Sequence, residues 1–146
     1  MTAQLCDVNV WLALALSGHA QHSVARHWLD SVEGSGQALF CRYTQQSFLR
    51  LLTNAAVLAP YGNKPLTNAA AWSAYEALVA DDRIEFRPGE PPGIEGRWKQ
   101  LAAKRTASPK LWMDAYLAAF ALGGKLTLVT NDRAFKQFRG LSLTLL

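Results

Sequence analysis

Short apolar runs of strand length alternate with helical segments from one end of the chain to the other, and this alternation restricts the fold more than any other feature. The strand-like runs are residues 3–6, 37–41, 83–86, 126–129 and 141–146. Helical patterns occupy 10–16, 21–32, 45–54, 67–80, 94–101, 109–122 and, briefly, 133–138. Strands that are separated by helices pair in parallel, because the helix carries the chain back across the sheet and covers one face on each crossing. The expectation is an α/β fold of three layers, α/β/α, with a central parallel sheet, in a single domain over residues 1–146.

Local signals place the helices. Val24, Trp28 and Val32 recur every four residues and mark one inward face. Phe48, Leu51, Leu52 and Ala55 mark another, with Thr44 in the place of an N-cap. Thr67 caps the Ala-rich helix. Ser108 and Pro109 read as an N-cap followed by proline at the first helical position, and Gly123–Gly124 as the stop of the same helix. Trp28, Trp72, Trp98 and Trp112 fall on helix faces and read as core.

Composition excludes several classes. With 146 residues, 50% hydrophobic and 18% charged, the chain can bury a full core and is not disordered. No apolar run approaches the ~20 residues of a membrane span, and the N-terminus lacks a basic flank and cleavage site, so a soluble cytoplasmic protein is expected. Cys6 and Cys41 end successive strands and read as reduced core thiols. His19, His22 and His27 lack a suitably spaced fourth ligand for zinc. There is neither a Gly-rich phosphate loop nor a Gly-x-Ser-x-Gly elbow.

Charge is unevenly spread. Residues 97–146 hold nine Lys/Arg against two acids, Asp114 and Asp132, while the net charge of the whole chain is only +4. A basic surplus is a weak pointer to a polyanion. Asp114 stands out because Leu111–Leu122 is apolar nearly all round, so its helix is buried on most faces. An ionised carboxylate there needs a partner or a metal. A helix-start Asp interacting with the dipole, or one bonded to a buried Trp or Tyr, remains open as a structural explanation. Asp7 follows the first strand and Asp132 lies three residues after Val129. Singly, each also fits an N-cap. Together, three carboxylates at one sheet edge repel one another unless a cation joins them, and oxygen-only ligands favour Mg²⁺ or Mn²⁺. With the basic C-terminal stretch, that chemistry points to cleavage of a phosphodiester.

Three segments carry a resemblance. Leu5-Cys6-Asp7-Val8-Asn9-Val10-Trp11-Leu12, Trp112-Met113-Asp114-Ala115-Tyr116-Leu117-Ala118 and Leu128-Val129-Thr130-Asn131-Asp132-Arg133-Ala134-Phe135 are similar to the successive signatures of a PIN domain, and in particular to the VapC toxins of toxin–antitoxin pairs. The likeness includes His19-x-x-His22 leading into the Trp28 helix and the Phe48-Leu49-Arg50 run. It implies a single PIN domain acting as a Mg²⁺-dependent endoribonuclease (Mn²⁺ being the alternative ion), an RNA substrate, a small antitoxin partner encoded nearby, and a homodimer. Asp7, Asp114 and Asp132 match the family's metal-site acids, Asp7 and Asp114 as direct ligands, and Thr130 and Asn131 match its polar residues beside the last acid.

The chain departs from the pattern once. Most of the family carries a Glu three residues before an Arg on the helix after the second strand; here the position is Ser47, before Arg50. Ser47 or Gln46 then stands as a neutral or water-mediated ligand, and a second ion binds less well. A Glu at this third position after Thr44 would also close a capping box. Arg50 and Arg133 head the candidate RNA contacts, with Arg42, Lys104, Arg105, Lys110 and Lys136. Two other readings stay open: a PIN-like module that has lost catalysis and binds RNA or antitoxin, and a haloacid-dehalogenase-type phosphatase. Asn9 stands where the latter would place its second Asp.

Overall fold

The computed structural model describes residues 2–146. In chain order the elements are β1 (Gln4–Cys6), α1 (Val8–Ala15), α2 (His22–Asp30), β2 (Ala38–Phe40), α3 (Arg42–Leu52), α4 (Ala55–Leu58), α5 (Asn68–Val79), β3 (Ile84–Phe86), α6 (Ile94–Ala102), α7 (Leu111–Gly124), β4 (Thr127–Thr130) and β5 (Leu143–Leu145). Single turns of 3₁₀ helix lie at Ala59–Tyr61 and Arg133–Gln137. All five strands are parallel, in the order β3-β2-β1-β4-β5.

The strands sort the core into two layers. Successive side chains of a strand point to opposite faces, so Cys6, Ala38, Phe40 and Val129 pack with Trp11, Trp28, Phe48 and Tyr75 under α1, α2, α3 and α5. Leu5, Leu39 and Leu128 pack on the other side with Ala115, Ala118, Phe120 and Phe135 under α6 and α7. Trp11 stacks on Phe40 with ring centroids 3.9 Å apart, and Phe48 and Tyr75 meet Phe40 edge-on, which fills the first layer with aromatic area. The three-layer α/β/α arrangement with a central parallel sheet expected from the alternation is the one observed.

Several local expectations are corrected. Ala25 and Leu29 accompany Trp28 and Val32 in the core, whereas Val24 is 42% exposed, because the buried face follows the 3.6-residue period rather than a strict step of four. Cys41, not Thr44, is the N-cap of α3; Thr44 sits at the third helical position, and its hydroxyl meets the Cys41 N–H at 3.0 Å to close the capping box. A Glu at position 47 therefore could not serve as that box's acid. Ala55 begins α4 and is exposed.

The helix of Asp114 also begins and ends later than expected. It starts at Leu111 with Lys110 as its cap, since Ser108 turns the chain through its carbonyl, which accepts from the Leu111 N–H at 3.0 Å. Gly123 and Gly124 lie inside the helix; the left-handed residue is Lys125. A side chain at Gly123 would begin 3.0 Å from the Pro91 ring, so the glycine serves a close approach and not a stop. Trp72 and Trp112 are about half exposed and are not core. Cys6 and Cys41 are buried free thiols, as expected.

From β1 the chain adds β2 and β3 on one side and then β4 and β5 on the other, so strand order reverses between β1 and β4. In open parallel sheets, ligands bind beyond the carboxyl ends of strands at this switch point. Asp7 follows β1 directly, and Asp132 lies two residues beyond β4.

Candidate active site

β1 and β4 pair in register, Cys6 opposite Val129, so the residues that follow them emerge side by side. Asp7 is buried at the mouth of this pair, 7% exposed. Its Oδ1 accepts from the Val8 N–H at 2.7 Å, and its Oδ2 accepts from the Thr130 hydroxyl at 2.9 Å. Thr130 is fully buried, and its hydroxyl oxygen also accepts from the Asp132 N–H at 3.0 Å. One hydroxyl thus ties together the ends of two strands 123 residues apart in sequence. Asp132 caps the following 3₁₀ turn, its Oδ1 accepting from the Ala134 N–H at 2.9 Å, which leaves Oδ2 free of that bond.

Asp114 approaches from the first turn of α7 and is half-buried. Among the described residues nothing hydrogen-bonds or ion-pairs with its side chain; the ion pairs present there are those of Arg83 with Asp30 and Asp81. Desolvation is the first cause that raises its carboxyl to about 6, and the charges of Asp7 and Asp132 raise it further; Lys110, one helical turn back, opposes them weakly. Asp7 is also raised, first by burial and lastly by the charge of Asp132, against the hydrogen bonds from Thr130 and Val8. The structural explanations for Asp114 fail in part: it does sit in the first turn, but no Trp or Tyr bonds it.

A cleft of about 460 Å³ opens over this point, with Asp114, Asp132, Lys104 and Lys110 among its walls. Two acids in a cleft with two lysines at its rim suit an anionic substrate only if the acids are neutralised by something else. Fit to a metal can be judged on donor type and closure. The donors are all hard oxygens, appropriate to Mg²⁺ or Mn²⁺. The side chains do not close a set, since among the described residues no three His, Cys, Asp or Glu converge as ready ligands. Such an ion would complete its shell with water, as Mg²⁺ does when held by one or two carboxylates.

Ser47 lies buried on α3 and lines a second, smaller cleft with Tyr43, Gln46, Arg50 and Met113. Burial first, and then the charges of Asp7 and Asp114, push up the Tyr43 hydroxyl beside it, while Ser47 and Arg50 draw it down. Position 47 therefore borders the acids but offers no charge of its own. Gln46, Arg50 and Arg133 are exposed, and Asn131 is half-buried between Thr130 and Asp132. Arg42 is committed locally, donating to Gln45 Oε1 at 2.6 Å and lying 4.4 Å over the Phe86 ring. Tyr43 was not singled out from the sequence. No local pattern marks it; its nearness to the acids depends on how α3 crosses the ends of the strands.

The PIN domain profile matches residues 5–141. Ribonuclease VapC41 of Mycobacterium tuberculosis is 56% identical over 142 residues, covering 97% of each chain. The chain belongs to the PIN-domain family, on its VapC side. Ribonuclease VapC43 of the same organism is 31% identical, over 94% of this chain and 91% of its own. Among solved structures, VapBC2 from Rickettsia felis bound to a promoter DNA fragment superposes with a TM-score of 0.67 at 13% identity, over 99% of this chain and 98% of that one. The sarcin-ricin loop cleaving toxin VapC20 of M. tuberculosis gives 0.61 at 19%, over 92% and 93%. At these identities the structural neighbours speak for the PIN fold alone. The family places the haloacid-dehalogenase alternative aside.

Proposed function

We propose that this PIN domain is the toxin of a toxin–antitoxin pair, an endoribonuclease that hydrolyses RNA phosphodiester bonds with a divalent cation, Mg²⁺ or in its place Mn²⁺. The observation that carries the reading is Asp114: a half-buried carboxylate with no partner among the described residues, lifted by burial and then by the charges of Asp7 and Asp132, in a cleft rimmed by Lys104 and Lys110. The 56% identity to a protein named a ribonuclease supports it.

Asp7 and Asp114 would hold the ion. When bound, it supplies an activated water and neutralises charge on a phosphoryl oxygen. The chain's own residues set the geometry. Two hydrogen bonds fix the Asp7 carboxylate in one orientation, so its reorganisation is already complete before substrate arrives. Asp132 spends Oδ1 on its cap and keeps Oδ2 to orient a water. Lys104, Lys110, Arg50 and Arg133 attract and seat the phosphate backbone. An antitoxin protein as partner, a homodimeric assembly and a cytoplasmic location belong to the same proposal.

The test is incubation of antitoxin-free protein with RNA in Mg²⁺ and in EDTA, beside Asp7→Asn and Asp114→Asn. Cleavage is expected in Mg²⁺ with the wild type alone. Cleavage that persists in EDTA and in Asp7→Asn overturns the mechanism. One observation favours a second reading, a module that binds RNA or antitoxin without cutting: Ser47 leaves the site one charge short of the usual family pattern. Equal growth of cells expressing wild type and Asp114→Asn, with retained RNA binding, would select it.

A further inference from the structure

A second pocket, of about 480 Å³, lies between α3, α7 and the loop before α6, outside the acid cleft. Its size is in the range of small-ligand sites, about 300–1,000 Å³. Tyr43, Trp98 and Tyr116 line it, all half-buried, with Arg42 and Gln46 on one wall and Glu90 among the others. The rings meet edge to face: Tyr116 stands at 79° to Tyr43 and at 85° to Trp98. They do not stack face to face on one another, and Trp98 and Tyr116 each make one further edge-on contact, with Trp112 and Phe120. Trp98 is held in place by its Nε1, which donates to the Trp112 carbonyl at 2.8 Å, and Tyr116 by its hydroxyl, which donates to Glu90 Oε2 at 2.5 Å. Aromatic walls with a few polar heads are how proteins hold an unstacked base.

The position of this pocket relative to the acids is what gives it meaning. Met113 lines it, and the next residue of α7, Asp114, lines the acid cleft. Tyr43, Gln46 and Met113 also line the small cleft that contains Ser47 and Arg50. A single strand crossing the first turn of α7 would present a phosphate to Asp114 and a neighbouring base to the pocket. The polar heads favour one base. Glu90 is a pure acceptor with Oε1 beyond its bond from Tyr116, and Arg42, whose Nη1 is on Gln45, is a pure donor with its other N–H groups. Guanine offers N1–H and an exocyclic amine on one edge, and O6 and N7 on another, which Arg reads as a pair. Glu90 repels a phosphate, so the pocket selects a base over the backbone.

Resting on the ribonuclease reading for its RNA, we propose that the pocket of Tyr43, Trp98, Tyr116, Arg42 and Glu90 is a base subsite that receives an unpaired guanine within one or two nucleotides of the cut and so sets where the RNA is cleaved.

The experiment uses four short single-stranded RNAs differing only in one base, and a fifth with inosine for that guanine. Binding is measured in EDTA and cleavage in Mg²⁺, for wild type, Glu90→Gln and Arg42→Ala. Gln at position 90 can still accept from Tyr116, so the pocket keeps its shape. Wild type is expected to favour guanine about tenfold over adenine, with inosine between, as one well-made paired contact gives. Glu90→Gln is expected to erase most of that ratio while uracil and cytosine RNAs bind as before; a merely structural role would weaken all five alike. Equal binding of all five RNAs by wild type, or a guanine preference untouched in both variants, overturns the subsite, as does a pocket that proves to take a peptide instead. Guanine-selective binding without cleavage in Mg²⁺ upholds the subsite and overturns the ribonuclease reading; cleavage without base preference does the reverse.

Discussion

Replacing Asp114 by Asn removes a negative charge that no side chain among the described residues pairs with, and the expected result in the absence of divalent ions is a more stable protein. The Asp114 carboxyl rises from 3.8 to about 6 on folding, by desolvation first and then by Asp7 and Asp132. The folded chain therefore binds this proton more tightly than the unfolded chain does. Between pH 3.8 and about 6 the folded state still holds the proton while the unfolded state has lost it, so stability falls as pH rises through that window. Below the window the charge is absent from both states, and above it the full penalty applies.

At 1.36 kcal/mol per pH unit the nominal penalty is about 3 kcal/mol. The side chain is only half-buried, and screening by the water that reaches it reduces the figure to about 1–1.5 kcal/mol. For a chain of this length that is a rise in Tm of roughly 3–6 °C. Thermal melts followed by circular dichroism in EDTA, at pH 7.5 and again at pH 4, measure it. Asp114→Asn should melt above the wild type at pH 7.5, with the gap nearly closed at pH 4. Added Mg²⁺ should raise the wild-type midpoint and leave the variant where it is, since a ligand stabilises only the state that binds it. A variant that melts below the wild type in EDTA, or a gap that does not change with pH, would refute the reasoning, because it would mean that Asp114 is satisfied by the fold itself.

Three further outcomes follow from the same geometry. Thr130→Val removes the bond to Asp7 Oδ2 and the acceptor of the Asp132 N–H, so urea unfolding should show a loss of about 1–3 kcal/mol, recovered in large part by Thr130→Ser. Ser47→Glu adds a carboxylate beside Tyr43 and the acids; its Tm should fall in EDTA, and calorimetry should find Mg²⁺ bound about tenfold more tightly, the 1.4 kcal/mol of one added favourable contact. Phe40→Ala opens a cavity beneath Trp11, Phe48 and Tyr75 and should lower the unfolding free energy by about 3–5 kcal/mol with no change in Mg²⁺ affinity per folded molecule.

Asp114 was legible because it breaks a local rule, a charge in an apolar helix; Asp7 and Asp132 obey one, each capping the helix that follows it, and drew notice only through their places after apolar strands. The parallel layering was legible too, since dihedral preference and apolar period are written within a few neighbouring residues. Only the tertiary structure decided the rest. Thr130 meets Asp7 because β1 and β4 are neighbours in one register, a choice made by the packing of both layers and not by either strand. Tyr43 and Ser47 border the acids because α3 crosses the same sheet edge, and no spacing in the chain announces it. Trp72 and Trp112 lie on helix faces that look like core and are open to water. Periodicity says which residues share a face; whether another element covers that face is a property of the whole fold, where burial is settled by contacts between residues far apart in the chain.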